Sequence, residues 1–223
     1  MKLLDIFQNR VKTINKSGIN CLLYTLYISN LSCDDYKFLI LFLNNEEYSK
    51  CKKFSNLEYA KKFVISRVFL KFALASILNK DISSINFKYG VNGKPYLSDG
   101  LVFFNISHSK DLCLIGISFI NEIGIDIEFM DTNIDYLPLL NFFSSQKEIK
   151  WVLEKNSIKR FYQIWTIKES ILKYTGQGIS DAGFPELSVN KNTLSYPNTI
   201  IHFFTNAEKY AISLCTGPCK KTL

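Results

Sequence analysis

The segment Ile123-Gly124-Ile125-Asp126-Ile127-Glu128 carries two carboxylates at alternate positions of an apolar run. Side chains of a β-strand alternate between faces, so Asp126 and Glu128 share one face and Ile125 and Ile127 the other. Two like charges placed this way repel unless something positive sits between them. Oxygen ligands of this kind suit Mg²⁺, commonly held by one or two carboxylates together with substrate phosphates; a solvated strand face would carry the same pattern. Farther along, Trp165-Thr166-Ile167-Lys168-Glu169-Ser170-Ile171-Leu172-Lys173 puts Trp165, Glu169 and Lys173 on one helix face at i, i+4 and i+8. An ordinary surface Glu→Lys pair contributes only about 0.3–0.5 kcal/mol, but the tryptophan on the same face points to partial cover. A third segment, Phe103-Phe104-Asn105-Ile106-Ser107-His108-Ser109, ends an apolar strand on one of the chain's 2 histidines, flanked by hydroxyls. Such a strand end can present an imidazole and donors to a phosphate. No Gly-x-Ser-x-Gly elbow accompanies Ser107, so the nucleophilic-serine hydrolase pattern is missing.

The elements that must position these residues follow from periodicity. Strands are expected at Cys21–Ser29, Ile85–Tyr89, Val102–Ile106, Leu112–Phe119, Ile123–Phe129, Glu186–Leu194, Thr199–Phe204 and Tyr210–Cys215. Helices are expected at Asp34–Leu43, Tyr136–Phe143 and Ser145–Leu153, with two long ones at Leu57–Leu78, capped by Ser55 or Asn56, and Ile158–Tyr174, ended by Gly176 and Gly178. The Asn-Gly and Pro of Val91-Asn92-Gly93-Lys94-Pro95 predict a turn. The halves look alike: Lys61-Lys62-Phe63 aligns with Lys159-Arg160-Phe161, and Asp111-Leu112-Cys113-Leu114 with Lys209-Tyr210-Ala211-Ile212. In both pairs the shift is 159 − 61 = 209 − 111 = 98. The expected fold is therefore α+β, a pseudo-dimer of residues 1–105 and 106–223, each a small antiparallel sheet packed with a long helix. The cleft between the halves is the natural place for a site, and one chain supplying both sides predicts a monomer.

Composition bounds the rest. With 223 residues, 47% of them hydrophobic, 10 Gly and 5 Pro, the chain can bury a core and is neither disordered nor collagen-like. Its apolar runs are too short or interrupted to span a bilayer, and the first residues lack a signal-peptide core, so a soluble cytoplasmic protein without a membrane partner is expected. The cysteines Cys21, Cys33, Cys51, Cys113, Cys215 and Cys219 form no CxxC pair and read as reduced thiols, with zinc not expected. The charge of +7 rests on lysine, Arg10, Arg67 and Arg160 being the only arginines. Lysine suits phosphates met as point charges or an acidic protein surface; base-reading proteins lean on arginine, and nucleic acid is not an expected partner.

Taken in order, Asn92-Gly93-Lys94-Pro95, Phe104-Asn105-Ile106-Ser107-His108-Ser109, Ile123 to Glu128 and Trp165 to Lys173 closely resemble the 4′-phosphopantetheinyl transferase superfamily. Length and apparent duplication resemble its Sfp-type branch. The resemblance implies Mg²⁺-dependent transfer of the phosphopantetheine arm of coenzyme A to a serine of an acidic acyl or peptidyl carrier protein, releasing adenosine 3′,5′-bisphosphate. It implies Asp126, Glu128 and Glu169 as metal ligands, and Glu169, Lys173 and His108 as catalytic residues. Glu169 would take the serine proton, and Lys173 would support the pyrophosphate. Coenzyme A would be held by Lys50, Lys62, Gly93, Lys94, Pro95, Ser107, His108, Lys168 and Lys173. In the basic stretch from Glu46 to Phe54, Glu47 departs from the resemblance by standing where another cation is expected. Two other readings fit the same residues: a magnesium-dependent phosphohydrolase, and a cationic nucleic-acid-binding module. Adenosine bisphosphate released only in the presence of carrier would exclude the first, and salt-dependent DNA binding without turnover would support the second.

Overall fold

The computed structural model describes residues 2–8, 10–29, 31–155, 157–178, 183–191, 193–206 and 209–218, so Cys219 lies outside it. The first half contains α1 (Lys2–Gln8), β1 (Val11–Ile14), β2 (Leu22–Tyr27), α2 (Cys33–Ile40), α3 (Asn45–Lys52), α4 (Leu57–Leu78), β3 (Lys88–Tyr89), β4 (Pro95–Tyr96), β5 (Phe103–Ser109) and β6 (Leu112–Ser118). The second contains β7 (Ile123–Phe129), α5 (Leu137–Phe143), α6 (Gln146–Leu153), α7 (Ile158–Thr175), β8 (Ser188–Asn190), β9 (Thr193–Ser195), β10 (Ile200–Asn206) and β11 (Tyr210–Thr216). No helix among the described residues is long and apolar enough to cross a membrane.

The first half is an antiparallel sheet in the order β1-β2-β6-β5; the second is an antiparallel sheet in the order β10-β11-β7. The α+β pseudo-dimer is present, with β6 and β11 starting at Leu112 and Tyr210, 210 − 112 = 98 residues apart. Side chains repeat as well as strands. Glu47 closes a capping box on α3 and binds the buried Lys71 of α4 at 3.0 Å, while Lys71 Nζ also donates to Phe42 O. In the second half Glu148 closes a capping box on α6, binds the buried Lys168 of α7 at 2.9 Å, and Lys168 Nζ donates to Phe143 O. A buried ammonium needs a carboxylate and carbonyls around it. The same clamp therefore pins the short helix to the long one in each half.

The expected division at residue 105 falls inside β5. Both β5 and β6 pair within the first sheet, and the 119–122 connection leads from it to β7. The expected strand over Glu186–Leu194 is instead the β8–β9 hairpin, because Lys191 turns the chain at φ 45°. Caps fall where the sequence puts them: Asn56 Oδ1 accepts from Glu58 N at 2.7 Å, and Gly176 ends α7 at φ +71°.

The sheets meet through Leu23, Leu112, Leu114, Ile123, Ile125, Ile127 and Leu214, all buried. Along the seam, β5 is laced to β7 by side chains. Asn105 Oδ1 accepts from Ile125 N at 3.0 Å, Ser107 Oγ from Ile127 N at 3.4 Å and Ser109 Oγ from Phe129 N at 2.9 Å. The i, i+2, i+4 spacing puts all three on one strand face. These polar residues of β5 thus join the halves by satisfying backbone donors that have no strand partner on that side.

Candidate functional site

The site forms where α7 lies along β7. Gly124 makes that approach possible: a Cβ there would overlap Ser170 O and Tyr174 N and lie 2.8 Å from Tyr174 Cα. With the backbones in contact, the Trp165, Glu169, Lys173 stripe faces the polar side of β7. Trp165 Nε1 donates to Glu128 Oε1 at 3.4 Å, and Lys173 Nζ donates to Asp126 Oδ1 at 2.6 Å. Trp165 is covered by Phe143 and Phe184 at ring-centroid distances of 4.8 and 5.9 Å, the partial cover its spacing predicts.

Asp126 is buried at 2% exposure, and Ser107 Oγ donates to its Oδ1 at 2.7 Å. Its Oδ2 is buried without a hydrogen-bond partner. Glu128 Oε2 accepts from Ser109 Oγ at 2.8 Å. Burial and then the Asp126 charge push the Glu169 carboxyl above its ordinary range, with Lys173 opposing. Glu128 is raised by the same two causes in the same order, against Ser109, Trp165 and Lys173. Among the described residues, no three carboxylate, His or Cys side chains already form a metal cage. The carboxylates nevertheless fit Mg²⁺, which keeps waters and substrate oxygens in its shell. An orphaned buried carboxylate oxygen beside two raised carboxyls is a deficit of positive charge that a divalent cation would fill.

A cleft of about 410 Å³ opens from Glu169 and Lys173 between the halves. Its walls include Gly93, Lys94 and Pro95 from the β3–β4 turn, His108 from β5, and Lys50, Ser66 and Arg67 from α3 and α4. Gly93, at φ +76°, supplies the left-handed conformation the turn requires. Asn92 Nδ2 ties this turn to the end of α7, donating to Gly176 O at 2.8 Å and Gln177 O at 2.7 Å. Lys94 Nζ donates to Glu122 Oε2 at 2.7 Å and Ile123 O at 3.1 Å, bridging the two halves at the mouth. His108 is exposed and lines the cleft, yet its pKa is held down to about 4. Desolvation by the cleft walls is the first cause, followed by the charges of Lys173, Lys62 and Arg67. The imidazole is therefore neutral at pH 7, and an anion entering the cleft would relieve the repulsion that keeps it so.

Of the residues expected at coenzyme A, the cleft gathers Lys50, Gly93, Lys94, Pro95, His108 and Lys173. Ser107 stands behind it, bonded to Asp126 and accepting from Lys173 Nζ at 2.9 Å, so it orients both groups. Lys62 donates to Lys110 O at 2.9 Å at the rim. Lys168 lies apart from these, bonded to Glu148 and Phe143 O. One residue from Glu169 is about 100° around a helix, which turns Lys168 away from the cleft and into the clamp with Glu148. Glu47, the departure from the basic stretch, is likewise buried in its clamp, away from the cleft. Arg67 also lines the cleft, and its one signal in the sequence is a guanidinium inside the apolar run Val64-Ile65-Ser66-Arg67-Val68-Phe69-Leu70.

Comparison with known proteins decides the family. Residues 122–216 match the 4′-phosphopantetheinyl transferase superfamily profile, and residues 30–118 match the profile of the 4′-phosphopantetheinyl transferase N-terminal region. The 4′-phosphopantetheinyl transferase Sfp of Bacillus subtilis is 30% identical over 163 residues, 71% of each chain. This chain belongs to the 4′-phosphopantetheinyl transferase superfamily. A putative 4′-phosphopantetheinyl transferase of Synechocystis sp. is 34% identical over 69% of this chain and 65% of its own length. The 4′-phosphopantetheinyl transferase HetI of Nostoc sp. is 30% identical over 62% and 61%. The chain thus spans a little under two thirds of those two relatives. The two superfamily profiles meet at residues 118–122, the connection that divides the two sheets.

Proposed function

We propose that this member of the superfamily transfers the 4′-phosphopantetheine arm of coenzyme A to a serine of a carrier protein. The observation that carries the reading is one cleft lined both by Glu169 and Lys173 and by Lys50, Arg67 and His108. Lys173 leads to the buried Asp126 with its unpaired oxygen, and Asp126 lies two residues from Glu128 on the same strand face. Coenzyme A has the complementary form, with a pyrophosphate that must react and a second phosphate on its ribose.

In the reaction the carrier serine Oγ bonds to the β-phosphorus, and the bond from that phosphorus to the bridging oxygen breaks. The bridging oxygen leaves on adenosine 3′,5′-bisphosphate. Glu169, with its raised pKa, is placed to take the serine proton, directly or through water, as a base whose pKa lies nearer neutrality than an ordinary carboxylate's. Lys173, released from Asp126, donates to the pyrophosphate and can protonate the departing oxygen. Ser107 keeps Asp126 oriented while Lys173 moves. Mg²⁺, when bound, would be held by Asp126, Glu128 and Glu169 and would offset charge on the phosphate oxygens. The Gly93-Lys94-Pro95 turn walls the nucleotide.

Release of adenosine 3′,5′-bisphosphate that requires carrier protein tests the reading; release by coenzyme A and Mg²⁺ alone would make the enzyme a hydrolase instead. The carrier's chemistry follows from charge. A chain at +7 attracts an acidic partner over distances that salt shortens, the Debye length falling from about 10 Å at 0.1 M to about 3 Å at 1 M. With coenzyme A saturating, kcat/KM for the carrier is expected to fall steeply with potassium chloride while kcat changes little. A KM flat across that range would assign docking to apolar contacts. On this reading a monomer suffices, since one chain supplies both walls of the cleft.

A further inference from the structure

Asn92 stands in the β3–β4 turn and reaches across to the other half, where its Nδ2 donates to both Gly176 O and Gln177 O. Both partners are carbonyl oxygens, so only the amide nitrogen can face them. Carbonyls at the C-terminal end of a helix lack intrahelical donors. Here the donor for the chain leaving α7 comes from an element 84 and 85 residues away in sequence. A Cβ on Gly178 would lie 3.5 Å from Asn92 Cβ, so the two segments are in contact.

The turn that carries Asn92 is itself stiff. Gly93 N donates to Gly90 O and Gly90 N to Lys94 O, each at 2.9 Å. The flanking residues pair as Lys88 with Tyr96 and Tyr89 with Pro95, in a two-stranded sheet of their own. Lys94 fastens the same turn to Glu122 and Ile123 O at the entry to β7. The turn therefore meets the second half at the entry to β7 and at the exit of α7, the two elements that carry Asp126, Glu128, Glu169 and Lys173. Lys173 lies within one helical turn of Gly176. We propose that Asn92 is a positioning residue: by capping the end of α7 from the β3–β4 turn, it couples occupancy of the nucleotide wall to the alignment of Lys173 and Glu169. The identity of the ligand rests on the coenzyme A reading above. A nucleotide held by Gly93, Lys94 and Pro95 steadies the turn, and through Asn92 the turn steadies the end of α7. By linkage, an ordered helix end favours the nucleotide in return. Asn92 touches no reacting atom and acts only through Lys173 and Glu169.

Hydrogen exchange at the backbone amides of residues 173–177, with and without saturating adenosine 3′,5′-bisphosphate, reads the coupling without turnover. In the intact wild-type chain the nucleotide is expected to slow exchange there by about 5–10-fold, the lower end of coupling between sites. Asn92→Asp keeps the shape but sets a carboxylate against the two carbonyls. The nucleotide should still bind to this variant while the slowing vanishes, and Asn92→Ala should behave in the same way. Asn92 is exposed, so both variants should melt near the wild type. Steady-state kcat is expected to fall about 10-fold in each, as the catalytic helix loses its alignment. A residue that only filled space would tolerate Asp. Slowing retained in Asn92→Asp, or absent from a wild-type chain that binds the nucleotide, overturns the inference. Coupling in a chain that modifies no carrier protein would overturn the transferase reading alone. A wild-type chain that does not bind the nucleotide would overturn both.

Discussion

Glu169→Gln is expected to lower kcat by about 10²–10⁴-fold, the usual contribution of a positioned acid–base group, while the metal-free protein becomes no less stable. Glu169 is raised by burial and by the Asp126 charge, so its ionised form is disfavoured in the fold. Between the ordinary carboxylate pKa and the raised one, the folded state holds the proton more tightly than the unfolded chain. Folded stability therefore rises as pH falls from neutrality through that window, and Glu169 contributes part of the slope. The Gln variant should melt at or above the wild type at pH 7 without metal and show a shallower rise on acidification. Single-turnover rates and melting curves across pH check both halves. Near-normal kcat would move the base elsewhere, and a large loss of metal-free stability would make Glu169 structural.

Gly124→Ala is expected to remove about 3 kcal/mol or more of stability, at the upper end of overpacking costs, because the new methyl meets helix backbone with no side chain to yield. For a chain of this size that corresponds to about 6–12 °C in melting temperature. The residual folded protein should also lose about 10²-fold in kcat, since lifting α7 from β7 separates Glu169 and Lys173 from Asp126. A variant that melts and turns over normally would show that the close approach is not needed. Gly116 offers a contrast: a Cβ there meets the flexible Ile123 Cδ1 at 2.9 Å, so side chains can give way.

What was legible in the sequence was what one element fixes by itself. Alternation over Ile123–Glu128 sorted isoleucines from carboxylates, and the i, i+4, i+8 spacing aligned Trp165, Glu169 and Lys173. Asn56 and Gly176 capped their helices as their chemistry dictates. What was not legible depended on which neighbour an element meets. Lys168 adjoins Glu169 in sequence and Glu47 interrupts a basic stretch, and α6 and α3 meet the long helices so that both become clamp partners. Arg67 shows the converse: α4 is apolar on nearly every face, so periodicity gave no sign of which side opens to the cleft. That β6 pairs with β2 across a long insertion, with β5 on its other side, is something no local signal reports. Asn105, Ser107 and Ser109 drew notice as a motif. Their work of lacing β5 to β7 emerges only once the two sheets are side by side.

The central claim is the covalent transfer, and intact mass spectrometry of an acidic carrier protein reads it most directly. The carrier is incubated with the enzyme, coenzyme A and Mg²⁺, then compared with a sample containing Asp126→Ala enzyme. The account predicts a gain of about 340 Da on one serine, the mass of the phosphopantetheine group added, with the wild-type enzyme and little or none with the variant. Carrier proteins of the fatty-acid, polyketide and nonribosomal-peptide classes that all stay at their unmodified mass, while coenzyme A is consumed, would contradict it.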